Sequence, residues 1–360
     1  MAFFKKLFKK DSSGKTHKGF YNITIQKIEK LTSDSVKVTL DVPEELKKTF
    51  QFIAGQYINF VIENNGKEER RSYSICSGPN EPLAVAVKSV SDGNISVWFN
   101  AVAEEGMEIQ VSKPEGNFQL KTADKNVVAF SAGSGITPIM SIAKALASSN
   151  GKMKLFYGNR TENSILFYDE IKHLSHVETD FYLSGETIQG YSSGRLDAGT
   201  ISEIIKQDLD LLKADAFFLC GPEEMIKAGV DALKLFGVPT EKVHYELFTV
   251  PTLMKSNTAS SDSAFSGESN VKVILDGEEI EFKLKSNGKA ILDVLDKSGF
   301  DAPYSCRGGV CSSCKGKILQ GKATMTMNYA LTEEEVAEGY VLVCQAHPAS
   351  EELVISFDEK

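Results

Sequence analysis

The sequence predicts a three-part chain: an antiparallel β-barrel, a doubly wound α/β domain, and a small α+β domain built around a cysteine loop. Three observations carry this. Between about Tyr21 and Gln119, short runs alternate apolar and polar residues, with Gly, Pro, Asp or Asn between them, which is the pattern of half-buried antiparallel strands. From Lys125 to about Phe248, strongly apolar strand-length runs alternate with helical stretches, as in a buried parallel sheet with helices on its faces. Near the C-terminus, Cys306, Cys311, Cys314 and Cys344 stand in the order C-x4-C-x2-C-x29-C, the ligand spacing of a plant-type [2Fe-2S] cluster.

Length and composition agree with several domains. A chain of 360 residues with 42% hydrophobic residues has enough apolar material for two or three separate cores. The formal charge of −9 argues against a nucleic-acid partner, which needs a basic face. No run approaches the roughly 18 uncharged residues of a membrane helix, so no integral membrane association is expected. The first ten residues, Met1 to Lys10, are basic and amphipathic but span under three helical turns and read as a loose tail. With no secretory signal, the expected location is the cytoplasm.

In the barrel part, residues 20–122, the clearest strands are Tyr21 to Ile28, Ser35 to Leu40 and Gln56 to Ile62. One helix interrupts them, from near Asn94 to about Val102. The second part, 123–250, shows five apolar strands around Val127, Met153, Thr179, Ala216 and Val243, separated by helices such as Pro138 to Ser148 and Glu223 to Phe236. A Ser-, Thr-, Asn- and Gly-rich stretch, residues 251–269, reads as a linker. The last part, 270–360, opens with a hairpin around Asp276-Gly277 and a helix near Ala290 to Lys297.

The cysteine loop is the most specific signal. A structural zinc favours C-x2-C pairs, whereas the first gap here is four. Disulfide staples are not needed in a chain this large without a secretory signal. Glycines at 308 and 309 let the loop curl so that backbone N–H groups turn toward the metal site, and with Ser312 they are the candidates for tuning it. Of the remaining cysteines, Cys76 in a barrel strand reads as inert packing.

Three further motifs point to cofactors. Ser131-Ala132-Gly133-Ser134-Gly135-Ile136-Thr137-Pro138 follows a buried strand and opens a helix, where glycines admit a phosphate and the helix end supplies free N–H groups. A bare strand-to-helix turn has much the same look. Cys220-Gly221-Pro222 lies at the carboxyl end of a strand, where open α/β sheets bind ligands; its thiol and glycine suit a nicotinamide, although a buried Cys before a turn is often packing. In the barrel, Arg70-Arg71-Ser72-Tyr73-Ser74-Ile75 offers a guanidinium fork for a pyrophosphate and a flat ring for an aromatic system, with Gly93, Asn94, Ile95 and Ser96 as a second helix start. Taken alone, these are equally a surface arginine pair and a strand tyrosine.

In this order the motifs resemble the ferredoxin-NADP reductase superfamily, from Arg-x-Tyr-Ser at Arg71 to Gly-x-Gly-x-Thr-Pro at Gly133 and Cys-Gly-Pro at Cys220. The C-terminal cysteine loop narrows the resemblance to reductase components of multicomponent oxygenases, nearest to the reductase subunits of phenylacetyl-CoA ring epoxidases. The resemblance implies an FAD barrel, an NAD(P) domain and a β-grasp ferredoxin. It also implies that Tyr73 stacks on the flavin, that Arg71 meets its pyrophosphate, and that Ser74 sits near the reacting ring nitrogen. Ser72, Lys88 and residues 93–96 complete that site. Gly133, Gly135, Thr137, Pro138, Arg160, Gly221 and Pro222 are assigned to the nicotinamide nucleotide, with Cys220 and Glu246 beside the hydride path.

One departure stands out. Ser184-Gly185-Glu186 replaces the Ser-Arg that often grips a 2′-phosphate, so NADPH is expected from the nearer subfamily and NADH stays open. The implied activity is electron transfer from NAD(P)H through FAD and the cluster to an oxygenase, since a flavin must stand between a two-electron donor and a one-electron acceptor. The linker lets the ferredoxin part move between its flavin and its partner. A Rieske-type ring or steroid hydroxylase is the alternative acceptor, and a cluster-based redox sensor the alternative class. Glu333, Glu334 and Glu335 read as a solvated helix start.

Overall fold

The computed structural model describes residues 17–64, 67–91, 93–254 and 265–359. Most of the expected basic tail and residues 255–264 of the expected linker lie outside them.

The barrel strands are β1 (Phe20–Thr32), β2 (Ser35–Asp41), β3 (Tyr57–Asn64), β4 (Lys67–Ser74), β5 (Ala84–Lys88) and β6 (Glu108–Ser112). They pair in the order β4-β3-β6-β1-β2-β5, and a bridge between Ile75 and Val85 brings the two ends together. Alternation sets the faces: Ile23 and Ile25, Val36 and Val38, and Ile58 and Phe60 point into one core. Helix α1 (Asn94–Ala101) adds Ile95 and Phe99 to that core, at the position the sequence predicts.

The second domain runs β7 (Asn126–Ala132), α2 (Ile136–Ala147), β8 (Lys152–Asn159), α3 (Tyr168–His173), β9 (Val177–Leu183), β10 (Ser192–Ser193), α4 (Ala198–Gln207), β11 (Ala216–Cys220), α5 (Glu223–Leu235) and β12 (Val243–Glu246). Its sheet is parallel, in the order β10-β9-β8-β7-β11-β12. The sheet therefore has six strands where the sequence predicts five. The extra one is a polar two-residue edge paired to Tyr182 and Leu183, too short to show an apolar run. Each strand covers both faces: Val127 and Ala129 pack with α2 and α3, whereas Val128 and Phe130 pack with α4 and α5. The order reverses between β7 and β11, which places the ligand crevice of a doubly wound sheet at their carboxyl ends.

The third domain has β13 (Glu268–Leu275), β14 (Glu278–Lys285), α6 (Ile291–Ser298), β15 (Lys315–Gln320), β16 (Ala323–Met325), α7 (Glu333–Ala337), β17 (Tyr340–Leu342), β18 (Ala346–Pro348) and β19 (Glu352–Ser356). The main sheet, β14-β13-β19-β15-β17, pairs β13 with β19 in parallel and its other neighbours antiparallel. Helix α6 lays Ile291, Leu292 and Leu295 on it, which makes a β-grasp. Asp276 and Gly277 turn the β13–β14 hairpin with φ of 51° and 74°, as a type I′ turn requires. Strand β13 starts inside the stretch expected as linker. At α7, Thr332 and Glu335 form a capping box, which explains the acidic start as helix capping.

The barrel and the α/β domain share one core: Ala54, Cys76 and Phe118 pack with Ile139 and Ile142 of α2. Burial pushes the Cys76 thiol up to about 12, and its sulfur donates to the Ala84 carbonyl, in keeping with an inert packing role.

Candidate active site and cluster loop

One cavity of about 970 Å³ lies where the three domains meet, at the upper end of the ~300–1,000 Å³ usual for small-molecule sites. The barrel contributes Arg71, Tyr73, Ser74, Lys88 and the start of α1 from Gly93 to Ser96. Ser134, Thr137 and Glu246 line it from the α/β domain, and Cys306 and Cys311 from the third.

Tyr73 packs edge-to-face against Phe60 and Phe99, with ring centroids 5.8 and 5.7 Å away. Its ring is thus held by the barrel core beside the cavity, the placement a stacked planar ligand needs. Burial pushes its phenol well above the usual range. Arg71 sits at the rim, 54% exposed, with one nitrogen 3.3 Å from Glu69. Residues 93–96 open α1 without a side-chain cap, so its first N–H groups face the cavity unclaimed by a capping side chain, which suits an anion.

Ser74 and Glu246 face each other across the domain boundary. The Ser74 hydroxyl donates to Glu246 Oε2 at 2.8 Å. Burial lifts the Glu246 carboxyl from 4.5 to about 7, against the lowering pull of that hydrogen bond. This carboxyl therefore gains and loses its proton near neutral pH.

At the switch point, Gly133 takes φ +55°, and Tyr157 donates to its carbonyl at 3.0 Å. Gly135 has ordinary φ but no room: a Cβ there would lie 2.1 Å from the Cys220 carbonyl oxygen. Thr137 is buried and donates to the Ser134 carbonyl at 3.0 Å. Cys220 is fully buried beneath Gly135, behind the cavity wall; burial and then the Glu246 charge push its thiol well up. Gly221 and Pro222 follow it into α5, while Arg160 is exposed at the end of β8 beside Gly185. Glu186 accepts from the Glu162 N–H, which ties the 184–186 stretch to the turn after β8.

The four loop cysteines form two pairs. Cys311 and Cys306 are 3.0 Å apart at sulfur, and Cys314 and Cys344 are hydrogen-bonded to each other. The Cys306 thiol is pulled down chiefly by its bond from Cys311 and, against burial, by the N–H groups of Gly308, Val310 and Cys311. Cys344 is pulled down chiefly by Cys314, with the Gly309 N–H adding. N–H groups converging on sulfur favour thiolates, which is what iron binds. Among the described residues no three His, Cys, Asp or Glu side chains are grouped as one metal ion requires. Cys311 and Cys314, which donate to the Cys306 and Cys344 sulfurs and are buried, are pushed the other way. Two sulfur pairs, each with one sulfur already favoured as thiolate, fit two irons, one pair each, so the residues suit a dinuclear cluster.

Several functional contacts escape sequence reasoning. Arg70, read there with Arg71 as a pyrophosphate fork, points the other way and binds Asp301 of the third domain at 2.6 Å. Ser72 donates to Asn59 and is hydrogen-bonded to the Ser305 hydroxyl, next to the first cysteine. Tyr57 receives the Ser312 N–H at 3.0 Å. The strand period of two, which sets Arg70 and Arg71 on opposite faces, is the available signal.

A barrel, a dinucleotide-type crevice and a paired-thiolate loop around one chamber define a class: flavin-linked oxidoreductases that pass electrons from NAD(P)H to an iron-sulfur cluster. Family models agree. Residues 22–120 match an oxidoreductase FAD-binding domain, 130–231 an oxidoreductase NAD-binding domain, and 273–349 a 2Fe-2S iron-sulfur cluster binding domain. The chain belongs to the family of oxygenase reductase components that carry FAD, NAD(P)H and a [2Fe-2S] cluster, within the ferredoxin-NADP reductase superfamily. It is 34% identical over 356 residues to a component of the 1,2-phenylacetyl-CoA epoxidase of Escherichia coli, covering 95% of this chain and 98% of that one. It is also 34% identical, over 89% of each chain, to the ferredoxin reductase component of 3-ketosteroid-9-alpha-monooxygenase of Mycobacterium tuberculosis. Among solved structures, phthalate dioxygenase reductase is 25% identical with a TM-score of 0.58, covering 94% of this chain and 98% of that one. No described helix is long and apolar enough to cross a membrane.

Proposed function

We propose that this chain draws electrons from NADPH and delivers them, through FAD and the cluster, to the oxygenase of a phenylacetyl-CoA ring epoxidase in the cytoplasm. The observation that carries the reading is the shared chamber, walled by Tyr73 and Ser74 on one side and by Cys306 and Cys311 on another. Bound FAD supplies the conversion from a two-electron donor to a one-electron acceptor.

The chain's own residues bind, orient and move protons. Tyr73 would hold the flavin ring, and Arg71, Lys88 and Gly93 to Ser96 would hold its phosphates, whereas Ser72 is turned to Asn59 and Ser305 at the cluster loop. Gly133, Gly135, Thr137 and Pro138 shape the nucleotide crevice together with Gly221 and Pro222, and Arg160 lies at its outer edge. Cys220 forms the crevice floor. Ser74 and Glu246 hold a proton at the Glu246 Oε2–Ser74 Oγ contact, beside the part of the cavity where the flavin ring would lie. Cys306 with Cys311, and Cys314 with Cys344, would ligate the two irons.

Glu246→Gln is expected to remove the inflection near pH 7 from the rate of flavin reduction by NADPH, measured by stopped-flow absorbance. The same substitution has a stability signature. The folded carboxyl holds its proton up to about 7 against an ordinary 4.5, so this group's contribution is complete below 4.5 and is lost as pH rises through about 7. Thermal melts of the glutamine variant are expected to lack that loss.

The acceptor is tested by anaerobic reconstitution followed by NADPH oxidation in air with epoxidase subunits. Phenylacetyl-CoA-dependent oxidation coupled to epoxide formation supports the reading. The equal identity to the ketosteroid monooxygenase component favours a second acceptor, a Rieske-type hydroxylase, and fast reduction of flavin and cluster without epoxide coupling would favour it. The acid at Glu186 makes NADH the competing donor, and the ratio of kcat/KM for the two nucleotides decides between them.

A further inference from the structure

The cluster loop is covered on the side where it meets the rest of the chain. Tyr57 and Asn59 of β3 bond to Ser312 and Ser313, and Ser72 of β4 bonds to Ser305. Gly308 lies against Val250, so closely that a Cβ would sit 2.1 Å from the valine methyl. Cys311, Cys314 and Cys344 are 6%, 1% and 7% exposed, and Cys306 faces the internal cavity. A protein cannot reach the loop through this face while it is docked.

What holds the face to the barrel is polar. Arg70 is 3% exposed, with Nη2 on Asp301 Oδ1 at 2.6 Å and its guanidinium 4.5 Å from the Tyr304 ring centroid. His17 bridges Asp301 Oδ2 at 2.8 Å and Glu68 Oε2 at 2.7 Å, so part of the stretch expected as a loose tail is tied into the junction. Asn117 donates to Glu335 at 2.9 Å. Among the described residues, the apolar cores of barrel and ferredoxin are separate clusters, and from the ferredoxin part Val310 and Tyr329 pack against the α/β core. Hydroxyls and charges with little apolar area characterise domain contacts that open and close.

We propose that this ferredoxin face is a single docking surface used in turn by the chain's own barrel and by an external protein acceptor, with Arg70 as the internal latch. The acceptor that fits copies the barrel's chemistry: a cation opposite Asp301 and Tyr304, and hydroxyl or carboxamide groups opposite Ser305, Ser312 and Ser313. Each docked visit loads one electron, so the two electrons of one hydride need two visits, and the proton released from the flavin passes to solvent. The inference rests on the reading above only in that the acceptor is a protein.

The test uses full-length holoprotein with Arg70→Gln on the barrel side and Asp301→Asn on the ferredoxin side. Cytochrome c, a basic protein, is the external probe, so failure of the epoxidase assignment does not touch the result. In R70Q, hydrogen exchange at the Ser312 amide is expected to quicken and the radius of gyration to grow. Loading of the cluster after NADPH mixing, read by freeze-quench EPR, is expected to slow at least about tenfold, as loss of a buried charge partner implies. Flavin reduction and cluster potential stay unchanged, and a pre-reduced cluster passes its electron to cytochrome c at least as fast as in the parent. D301N is expected to slow both cluster loading and transfer to cytochrome c. The proposal is overturned if R70Q leaves Ser312 exchange and loading unchanged, or if D301N slows loading alone.

Discussion

Replacing Cys344 by alanine is expected to strip the chain of its cluster while leaving the flavin in place. Cys344 follows β17, and the adjacent Val343 N–H donates to the Cys314 carbonyl at 3.0 Å, so the backbone itself brings the last thiol over the loop. Without it Cys314 loses its pair, and the Gly309 N–H loses the sulfur it serves. Changes one shell out from a metal cost roughly 10–100-fold, so loss of a ligand is expected to cut NADPH-driven cytochrome c reduction by at least about 100-fold. Ferricyanide reduction, which takes electrons from the flavin, is expected to persist. Because metal binding is folding free energy, the ferredoxin domain of C344A also melts earlier. Iron content, visible absorbance and calorimetry check all three.

Gly135→Ala is the second large effect, and its cause is purely steric. The backbone at Gly135 has φ −61°, which alanine adopts freely. Its Cβ, however, would meet the carbonyl oxygen and carbon of Cys220 at 2.1 and 2.4 Å and the Gly221 nitrogen at 2.7 Å. These are main-chain atoms at the end of β11 and of the residue after it; β11 is paired to β7 up to Cys220 and Ser131, so no side chain can swing aside. Overpacking of this kind costs about 1–3 kcal/mol. It also pries open the switch point, so KM for the nicotinamide nucleotide is expected to rise about tenfold or more, with the cluster spectrum intact. Gly133→Ala makes the control: its Cβ meets nothing within 4 Å, and only the left-handed φ of +55° opposes it, worth about 1 kcal/mol.

What could be read from the sequence follows the range of the forces involved. Strand and helix periods depend on neighbours two to four residues away, so β1, β2 and β3 of the barrel, α1, the Asp276-Gly277 turn and the β7–α2 glycine turn were legible, while the short β5 and β6 were not named. Ser192–Ser193 was not, because a two-residue polar edge borrows its pairing from β9. Cysteine spacing revealed the loop because a cluster imposes its own geometry on the chain. The docking contacts were hidden: Arg70 and Asp301 are 231 positions apart, and nothing local to either names the other. Glu246 could be placed near the flavin only by resemblance, and its poised carboxyl arises from burial against Ser74, 172 positions away.

The most direct measurement is a single-turnover experiment: anaerobic holoprotein mixed with one equivalent of NADPH, followed by stopped-flow absorbance and freeze-quench EPR. Flavin bleaching first, then a reduced-cluster signal appearing as the flavin gives up one of its two electrons, is the expected result. Full flavin reduction with a cluster that stays oxidised in the docked, unmutated protein would contradict the account.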